Sequence, residues 1–149
     1  MRKTMTGITN PTEEYFKDGI WGWDGSQWRK LGLLFGYYDR LAAQVVNTSA
    51  AAGTNMLTGT AVSAGEIHVI QAIAAIDYNS TTTRIYVSAT GGVITIPLAD
   101  EYSVAAEHWV IKTVNIVLKA GDCLNCIFYG CTAGDDLYLR WWGYKMKVT

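Results

Sequence analysis

From residue 61 onward, apolar positions recur with the two-residue period of β-strands. Ile85, Val87 and Ala89 alternate with Tyr86 and Ser88, as expected of a strand with one buried face. Clusters of small and polar residues that are typical of turns separate such runs. These turns are predicted at Asn79–Thr82, Thr90–Gly92, Ala99–Ser103, Ala120-Gly121 and Thr132–Gly134. The pattern predicts strands at Glu66–Asp77, Thr83–Ala89, Val93–Leu98, Trp109–Leu118, Asp122–Tyr129 and Asp136–Met146.

Some of these strands are apolar on both faces. Val69-Ile70 and Val114–Leu118 carry consecutive apolar residues, which favours a sheet covered by a second sheet or by a partner subunit. A small residue, a glycine and an acid precede three apolar runs, at Ala64-Gly65-Glu66, Ala120-Gly121-Asp122 and Ala133-Gly134-Asp135. Many short strands without alternating helices predict an all-β fold, a β-sandwich of the jelly-roll type.

The segment Ala42–Thr60 has a less regular pattern. It is rich in Ala, Ser, Thr, Asn and Gly, which are typical of loops. We interpret it as a connection with at most one short strand, near Met56–Val62.

The first forty residues predict a short arm ahead of the sandwich. Asn10-Pro11 followed by Glu13 is typical of a helix start, and Gly19 is a plausible stop, which together predict a helix at Pro11–Asp18. A helix of about two turns is not stable alone, so it must dock on another element.

A hairpin follows this helix. Asp24-Gly25 lies between aromatic residues and favours a tight type I′ turn, with Trp23 and Trp28 paired across or near it. Two short strands also need a neighbour to be stable. We therefore predict two parts, an N-terminal arm at residues 1–40 with helix and hairpin, and a jelly-roll domain at residues 41–149.

Composition narrows the class of protein. Half of the residues are hydrophobic and 17% are charged, against about 25% charged in average soluble domains. A formal net charge of −1 and a pI near 6.1 give no general attraction to nucleic acid or to an anionic membrane. Neither a secretory signal nor an apolar run of membrane-spanning length is predicted. The shortage of charge indicates surface covered by subunit contacts, or an unusually neutral polar exterior.

The chain has three cysteines, Cys123, Cys126 and Cys131, and this odd, clustered set suits a reducing cytosol better than a disulfide framework. Their Cys-x2-Cys spacing raises the question of a zinc site, with His68 or His108 as a further ligand. On one continuous strand, however, Cys123 and Cys131 point to one face and Cys126 to the other. We therefore predict buried free thiols, no metal site and no cofactor.

No catalytic residues are assigned. The sequence has no Gly-x-Ser-x-Gly motif and no phosphate or dinucleotide loop. Asp135-Asp136 and Asp122 are more typical of solvated turns than of paired catalytic carboxylates. The few basic residues near the predicted hairpin are balanced by neighbouring acids, so nucleic-acid binding is not expected.

Aromatic residues are the most informative side chains. They are concentrated in the predicted hairpin and its continuation, and again in the last strand. Such residues make core contacts, subunit interfaces or sugar-stacking platforms, and we favour packing in the core or between subunits. The interface or binding candidates are Trp21, Trp23, Trp28, Phe35, Tyr37, Tyr38, Trp141 and Trp142.

Two stretches resemble segments of structural proteins from tailed bacteriophages and prophages. One is Gly19–Leu31, with its Trp-Asp-Gly-x-x-Trp hairpin, followed by Leu34–Tyr37. The other runs from Leu118 through Gly130–Asp135 to Tyr144, and is similar to the closing strands of jelly-roll domains in phage decoration, head-fibre and tail-fibre proteins. The resemblance implies a virion structural role, commonly as a trimer, and assigns no binding residues.

We therefore expect a non-enzymatic capsid decoration protein, made in the host cytoplasm and located on the virion. The expected partners are two further copies of the chain and the major capsid protein or other virion proteins, without nucleic acid or membrane. The alternative is a head- or tail-fibre domain that binds host glycans through exposed tryptophans. A third hypothesis, a small metal-dependent jelly-roll enzyme, would need several histidine ligands, whereas the chain has His68 and His108.

Overall fold

A computed structural model describes residues 21–23, 28–30 and 39–147 of the chain. The chain divides into two compact units, Met1–Gly36 and Tyr37–Thr149. The predicted helix at Pro11–Asp18 lies outside the described residues, and the predicted boundary between residues 40 and 41 stays a prediction.

In the first unit, two short strands form an antiparallel pair, β1 (Trp21–Trp23) and β2 (Trp28–Lys30). Trp23 lies opposite Trp28 in the register, which confirms the predicted hairpin. A two-residue turn at Asp24-Gly25 would instead place Trp23 opposite Ser26, so that part of the prediction is wrong. The register places four residues, 24–27, between the paired ends, and these lie outside the described residues.

The second unit contains eight strands, and its described residues include no helix. The strands are β3 (Asp39–Asn47), β4 (Gly53–Thr58), β5 (Glu66–Asp77), β6 (Thr82–Gly91), β7 (Ile94–Val104), β8 (Val110–Lys119), β9 (Cys123–Cys131) and β10 (Leu137–Lys147). Accordingly, the described part of the chain contains no helix that is long and apolar enough to cross a membrane.

These strands form two antiparallel four-stranded sheets, in the orders β3-β10-β5-β8 and β4-β9-β6-β7. Strands from the two ends of the domain therefore pair with each other, and each sheet combines early and late strands. This interleaving of two sheets is the jelly-roll arrangement. It confirms the predicted all-β sandwich of jelly-roll type.

The predicted strands agree with the observed ones to within a few residues, with three exceptions. Strand β3 was missed, because its inward positions include Ala43 and its outward positions include Ala42, so the alternation is weak. Strand β4 (Gly53–Thr58) overlaps the strand predicted near Met56–Val62, but it begins three residues earlier and ends four residues earlier. Strand β7 continues through Ala99–Ser103, which had been predicted as a turn.

The core lies between the two sheets. Its largest fully buried side chains include Phe128 and Leu124 of β9 and Ile70 and Ile73 of β5. Burying such side chains contributes about 1.5–3 kcal/mol each relative to leaving them exposed. The core holds the sheets together and leaves each of them an outward face, and these outward faces carry the candidate functional residues.

Candidate functional site

The structure separates the two tryptophans of the last strand. Trp141 is 7% exposed and packs in the core, whereas Trp142 is 38% exposed on the outward face of its sheet. Neighbours along a strand point to opposite faces, so this pair is not one binding platform. Trp21, Trp23 and Trp28 have described backbones in β1 and β2, whereas Phe35, Tyr37 and Tyr38 lie outside the described residues.

The outward face of the sheet β3-β10-β5-β8 is predominantly apolar, and we call it the apolar face. Its exposed apolar side chains are Val46, Ile111, Val117 and Trp142. Alongside them, Ala72, Ala74 and Ile76 of β5 are buried without belonging to the core between the sheets. A shallow groove of about 610 Å³ runs beside Trp142, along β3 and β10. An apolar face of this kind marks a contact surface more often than a solvated one.

Arg140 is an exposed charged residue within this face, and its guanidinium lies against aromatic rings. Its guanidinium carbon lies 4.9 Å from the ring centroid of Trp109 and 5.4 Å from that of Tyr138. Its Nε also donates to the side-chain oxygen of Gln44 at 3.2 Å. In the register Arg140 lies opposite Ala74 of β5, and the small side chain of Ala74 leaves room for the long arginine. These contacts are with neutral groups, so they position the cation on the face without cancelling its charge.

The outward face of the other sheet carries a different cluster, which we call the tyrosine face. Arg84 lies opposite Tyr102 of β7 and Tyr129 of β9 in the register, and Tyr86 follows two residues later on the same face. The Arg84 guanidinium carbon lies 5.1 Å, 5.4 Å and 5.2 Å from the ring centroids of Tyr102, Tyr129 and Tyr86. One cation thus organises three aromatic rings.

Asp100 neutralises this cation. Arg84 Nε donates to Asp100 Oδ1 at 2.6 Å, and Nη2 donates to Oδ2 at 2.8 Å. The hydrogen bond from Arg84 lowers the pKa of Asp100, and the same hydrogen bond raises the pKa of Arg84. Both side chains are about one-third exposed, so the pair adds little stability. Its main effect is to fix the guanidinium between the rings and to cancel its charge.

A cleft of about 430 Å³ lies between β7 and β8, at the edge of the sandwich. Tyr102 and Trp109 line it together with His108, and the ion pair between Lys112 Nζ and Glu101 Oε1, 2.6 Å long, joins two of its lining residues. Its volume lies within the range of small-molecule sites.

The backbone around this cleft is strained. Ser103 and Glu107 have φ angles of 53° and 59°, which non-glycine residues seldom adopt. Such strain is often concentrated at binding sites.

Two buried carboxylates meet at the start of the β5–β6 connection. Asp77 is 1% exposed and Asp135 is 3% exposed. The backbone N–H groups of Asn79 and Ser80 donate to Asp77 Oδ1, and the Thr132 N–H donates to Asp135 Oδ2. Burial raises the pKa of Asp77, and the charge of Asp135 raises it further.

The cysteines do not form the set of ligands that their spacing suggested. Cys126 and Cys131 are both buried, while Cys123 is half-buried on the outward face. The prediction that Cys131 shares a face with Cys123 is wrong, because Gly130, at φ 76°, interrupts the regular alternation. Burial raises the pKa of both buried thiols.

Among the described residues, the side chains that come close enough to share a metal ion are instead Cys131, Asp77 and Asp135, with ligand atoms within 4.8 Å of one another. The two predicted histidines lie elsewhere. His68 pairs with Glu66 at 3.2 Å, and His108 lines the edge cleft.

The tyrosine face was missed because its residues are scattered at positions 84, 86, 102 and 129. A signal was present in the sequence, since Tyr86, Tyr102 and Tyr129 are aromatic residues at strand positions that do not point into the core. To recognise these residues as one cluster, the strand order and the register must be known, and local periodicity predicts neither.

No protein-family model and no curated protein matches this sequence. Solved structures are similar to it at low identity. A family 35 carbohydrate-binding module from an environmental isolate is 14% identical, with 99% of this chain and 96% of that chain covered and a TM-score of 0.37. The Drosophila NLP core, which is described as a histone-binding pentamer, is also 14% identical, with 72% and 99% covered and a TM-score of 0.35.

A chain of infectious bursal disease virus, Gx strain, is likewise 14% identical, with a TM-score of 0.40. The match covers 93% of this chain but 36% of the viral chain, so the present chain spans about a third of that protein. At this level of identity the likeness concerns the β-sandwich fold alone.

Proposed function

We propose that this protein is a non-enzymatic structural component of a virion, a capsid decoration protein that forms homotrimers and stabilises the shell. The observation that carries the proposal is the apolar face. The virion setting and the trimer rest on the resemblance of the sequence to phage structural proteins, and the self-association rests on the face itself.

The apolar face has the size of a subunit contact. Four strands about 4.8 Å apart and about 30 Å long present about 600 Å², close to the ~800 Å² that each partner contributes to a standard interface. We assign two further copies of this chain as the occupants, with different parts of the face contacting each neighbour around a threefold axis. In the assembled contact a polar or acidic group of a neighbouring copy would pair with Arg140, because its contacts within the single chain are with the neutral groups of Trp109, Tyr138 and Gln44.

The mechanism is mechanical rather than chemical. Each contact removes apolar area from water, worth about 25 cal/mol per Å² before the costs of association. Many identical copies on one shell would add avidity, because each bound copy holds its neighbours at high effective concentration. The shell would then resist the outward pressure of the packaged genome.

Multi-angle light scattering with size-exclusion chromatography tests the self-association directly. We expect a trimer mass for the full chain at micromolar concentration. A monomer that persists at concentrations of hundreds of micromolar would overturn the proposed assembly. Mass spectrometry of purified particles from a host that carries the gene tests the location, and we expect the protein in near-stoichiometric amounts.

The second candidate is a head- or tail-fibre domain that binds host glycans, and the tyrosine face favours it. The two candidate functions can be distinguished by deleting the gene. Loss of a glycan-binding fibre domain would reduce attachment to cells while leaving the heat stability of the shell unchanged.

A further inference from the structure

The tyrosine face and the apolar face have opposite chemistry. The tyrosine face combines its rings with the half-buried polar side chains of Thr90 and Asn125, and the Asn125 side-chain amide donates to the Thr90 hydroxyl at 2.8 Å. Tyrosine and arginine also occur often in protein–protein interfaces. The polar groups beside the rings and the neighbouring cleft favour a small polar ligand.

The rings are spaced for an extended ligand. Tyr102 and Tyr129 lie on either side of Arg84, on strands two positions apart in the sheet. Two strand spacings separate their backbones by about 10 Å, so the two rings would contact different units of a chain-like ligand. Tyr102 is 66% exposed, which leaves ring surface for stacking.

The charge of the tyrosine face is balanced. Asp100 accepts hydrogen bonds from both Nε and Nη2 of Arg84, so the pair carries no net charge with which to attract a phosphate or a sulfate. Single-stranded nucleic acid also stacks on aromatic rings, but its binding needs a positive groove along the backbone. A neutral ligand fits this balance, and a polyanion does not.

Tyr102 links this face to a concave site, because it also lines the edge cleft. Trp109 and His108 line the same cleft, and the strained residues Ser103 and Glu107 lie in the segment that forms it. A ligand that lies across Tyr129 and Tyr102 can therefore continue into a recess that holds further aromatic and hydrogen-bonding groups.

We propose that the tyrosine face and the edge cleft together bind a neutral oligosaccharide. Its sugar rings stack their C–H faces on Tyr102 and Tyr129, and its hydroxyl groups meet the polar side chains around the rings. The proposal rests on the glycan-binding candidate above and not on the virion role. The tyrosine face lies on the other sheet, while the edge cleft shares Trp109 and Ile111 with the margin of the apolar face.

A glycan array of neutral, sialylated and sulfated oligosaccharides tests this proposal with the full chain. Isothermal titration calorimetry then uses the neutral oligosaccharide that the array retains most strongly. We expect Tyr102→Ala and Tyr129→Ala each to weaken binding about tenfold. Tyr102→Phe, which keeps the ring, should weaken it less. The control is Tyr78→Ala, an exposed tyrosine that packs on Tyr138 away from the tyrosine face, and it should leave binding unchanged.

Asp100→Asn provides a second test, in which the variant is expected to gain binding of a new ligand class rather than to lose affinity. Without the carboxylate, the Arg84 charge is released, so the variant should retain sulfated oligosaccharides that the native protein does not. Circular dichroism checks that each variant is folded. The proposal is overturned if the native protein retains no neutral glycan, if it retains only charged glycans or nucleic acid, or if Tyr78→Ala weakens binding as much as Tyr102→Ala.

Discussion

Asp77 and Asp135 are joined through one hydroxyl group: Ser80 Oγ lies 2.6 Å from Asp135 Oδ2 and 3.5 Å from Asp77 Oδ2. Both carboxylates are buried, and burial is the largest cause of the raised pKa of Asp77, whose ordinary value is 3.8. The folded state therefore holds a proton on Asp77 at pH values where the unfolded chain has released it. This proton contributes stability that is complete below pH 3.8 and is lost as the pH rises through the raised pKa.

Asp77→Asn should remove that pH dependence. The amide oxygen can still accept from the backbone N–H groups of Asn79 and Ser80, while no charge forms opposite Asp135. At pH 7 the variant is expected to be at least as stable as the native protein. Its free energy of unfolding, from urea titrations between pH 3 and pH 8, should show a flatter profile.

Asp136→Asn, one residue beyond the pair, serves as the matched control and should keep the native profile. A free energy of unfolding at pH 7 that is lower for Asp77→Asn than for the native protein by more than about 1 kcal/mol would show that the carboxylate is needed in its charged form. In that case a bound cation, rather than a proton on Asp77, would relieve the repulsion between the two carboxylates.

The two neighbouring tryptophans of β10 should respond very differently to truncation. Trp141→Ala removes a side chain from the core and should cost about 3–5 kcal/mol. Trp142→Ala removes a partly exposed side chain and should cost about 1 kcal/mol or less. Denaturant unfolding of the monomer measures both, and equal losses would contradict the assignment of the two side chains to opposite faces.

Gly143 should be sensitive to substitution for a steric reason. A Cβ atom at this position would collide with the backbone carbonyl oxygen of Val69 on β5, at the register shift between β5 and β10. Backbone atoms cannot rotate away, so Gly143→Ala should lose about 3 kcal/mol.

Gly134 is the comparison for Gly143. It has a φ of 90° and nothing within 4 Å of an added Cβ, so Gly134→Ala should lose about 1 kcal/mol from backbone strain alone. Thermal melts of the two variants side by side should rank Gly143→Ala as the less stable. The opposite order would show that β5 and β10 can separate locally without cost.

The three thiols should react in two classes. Cys123 is half-buried, whereas Cys126 and Cys131 are buried with raised pKa values. Since the thiolate is the nucleophile, iodoacetamide should label Cys123 first, and the other two only after unfolding. Peptide mass spectrometry measures the order. Cys123→Ser should abolish the fast phase, and rapid labelling of Cys126 in the native state would contradict the packing of β9.

Charge placed on the apolar face should prevent self-association. Val117→Lys adds an unpaired charge at a side chain that is 64% exposed in the single chain, so the monomer should fold normally while the assembly dissociates. Val93→Lys, at a fully exposed position on the β6–β7 connection, should leave the assembly intact. Light scattering measures the mass of both variants. An unchanged mass for Val117→Lys would show that the subunit contact lies elsewhere.

The sequence was sufficient for the fold class and for most of the strands, but not for β3 or for the two outward faces. Glu66–Asp77 was predicted to the residue because a long apolar run lies between turn signals. The pairing of β3 with β10 could not be predicted, because it joins segments nearly a hundred residues apart and depends on packing rather than periodicity. The same limit hid the tyrosine face, which exists only once β6, β7 and β9 are placed side by side.

The order of strands in the first sheet also governs when the protein can fold during synthesis. The first strand of the sandwich, β3, lies at the sheet edge and pairs with β10, the last strand to be made. Until the ribosome has released β10, β3 has no partner and β5 lacks one of its two neighbours. The sandwich therefore cannot close until β10 has left the ribosome, and until then the chain exposes strand edges that are prone to aggregation.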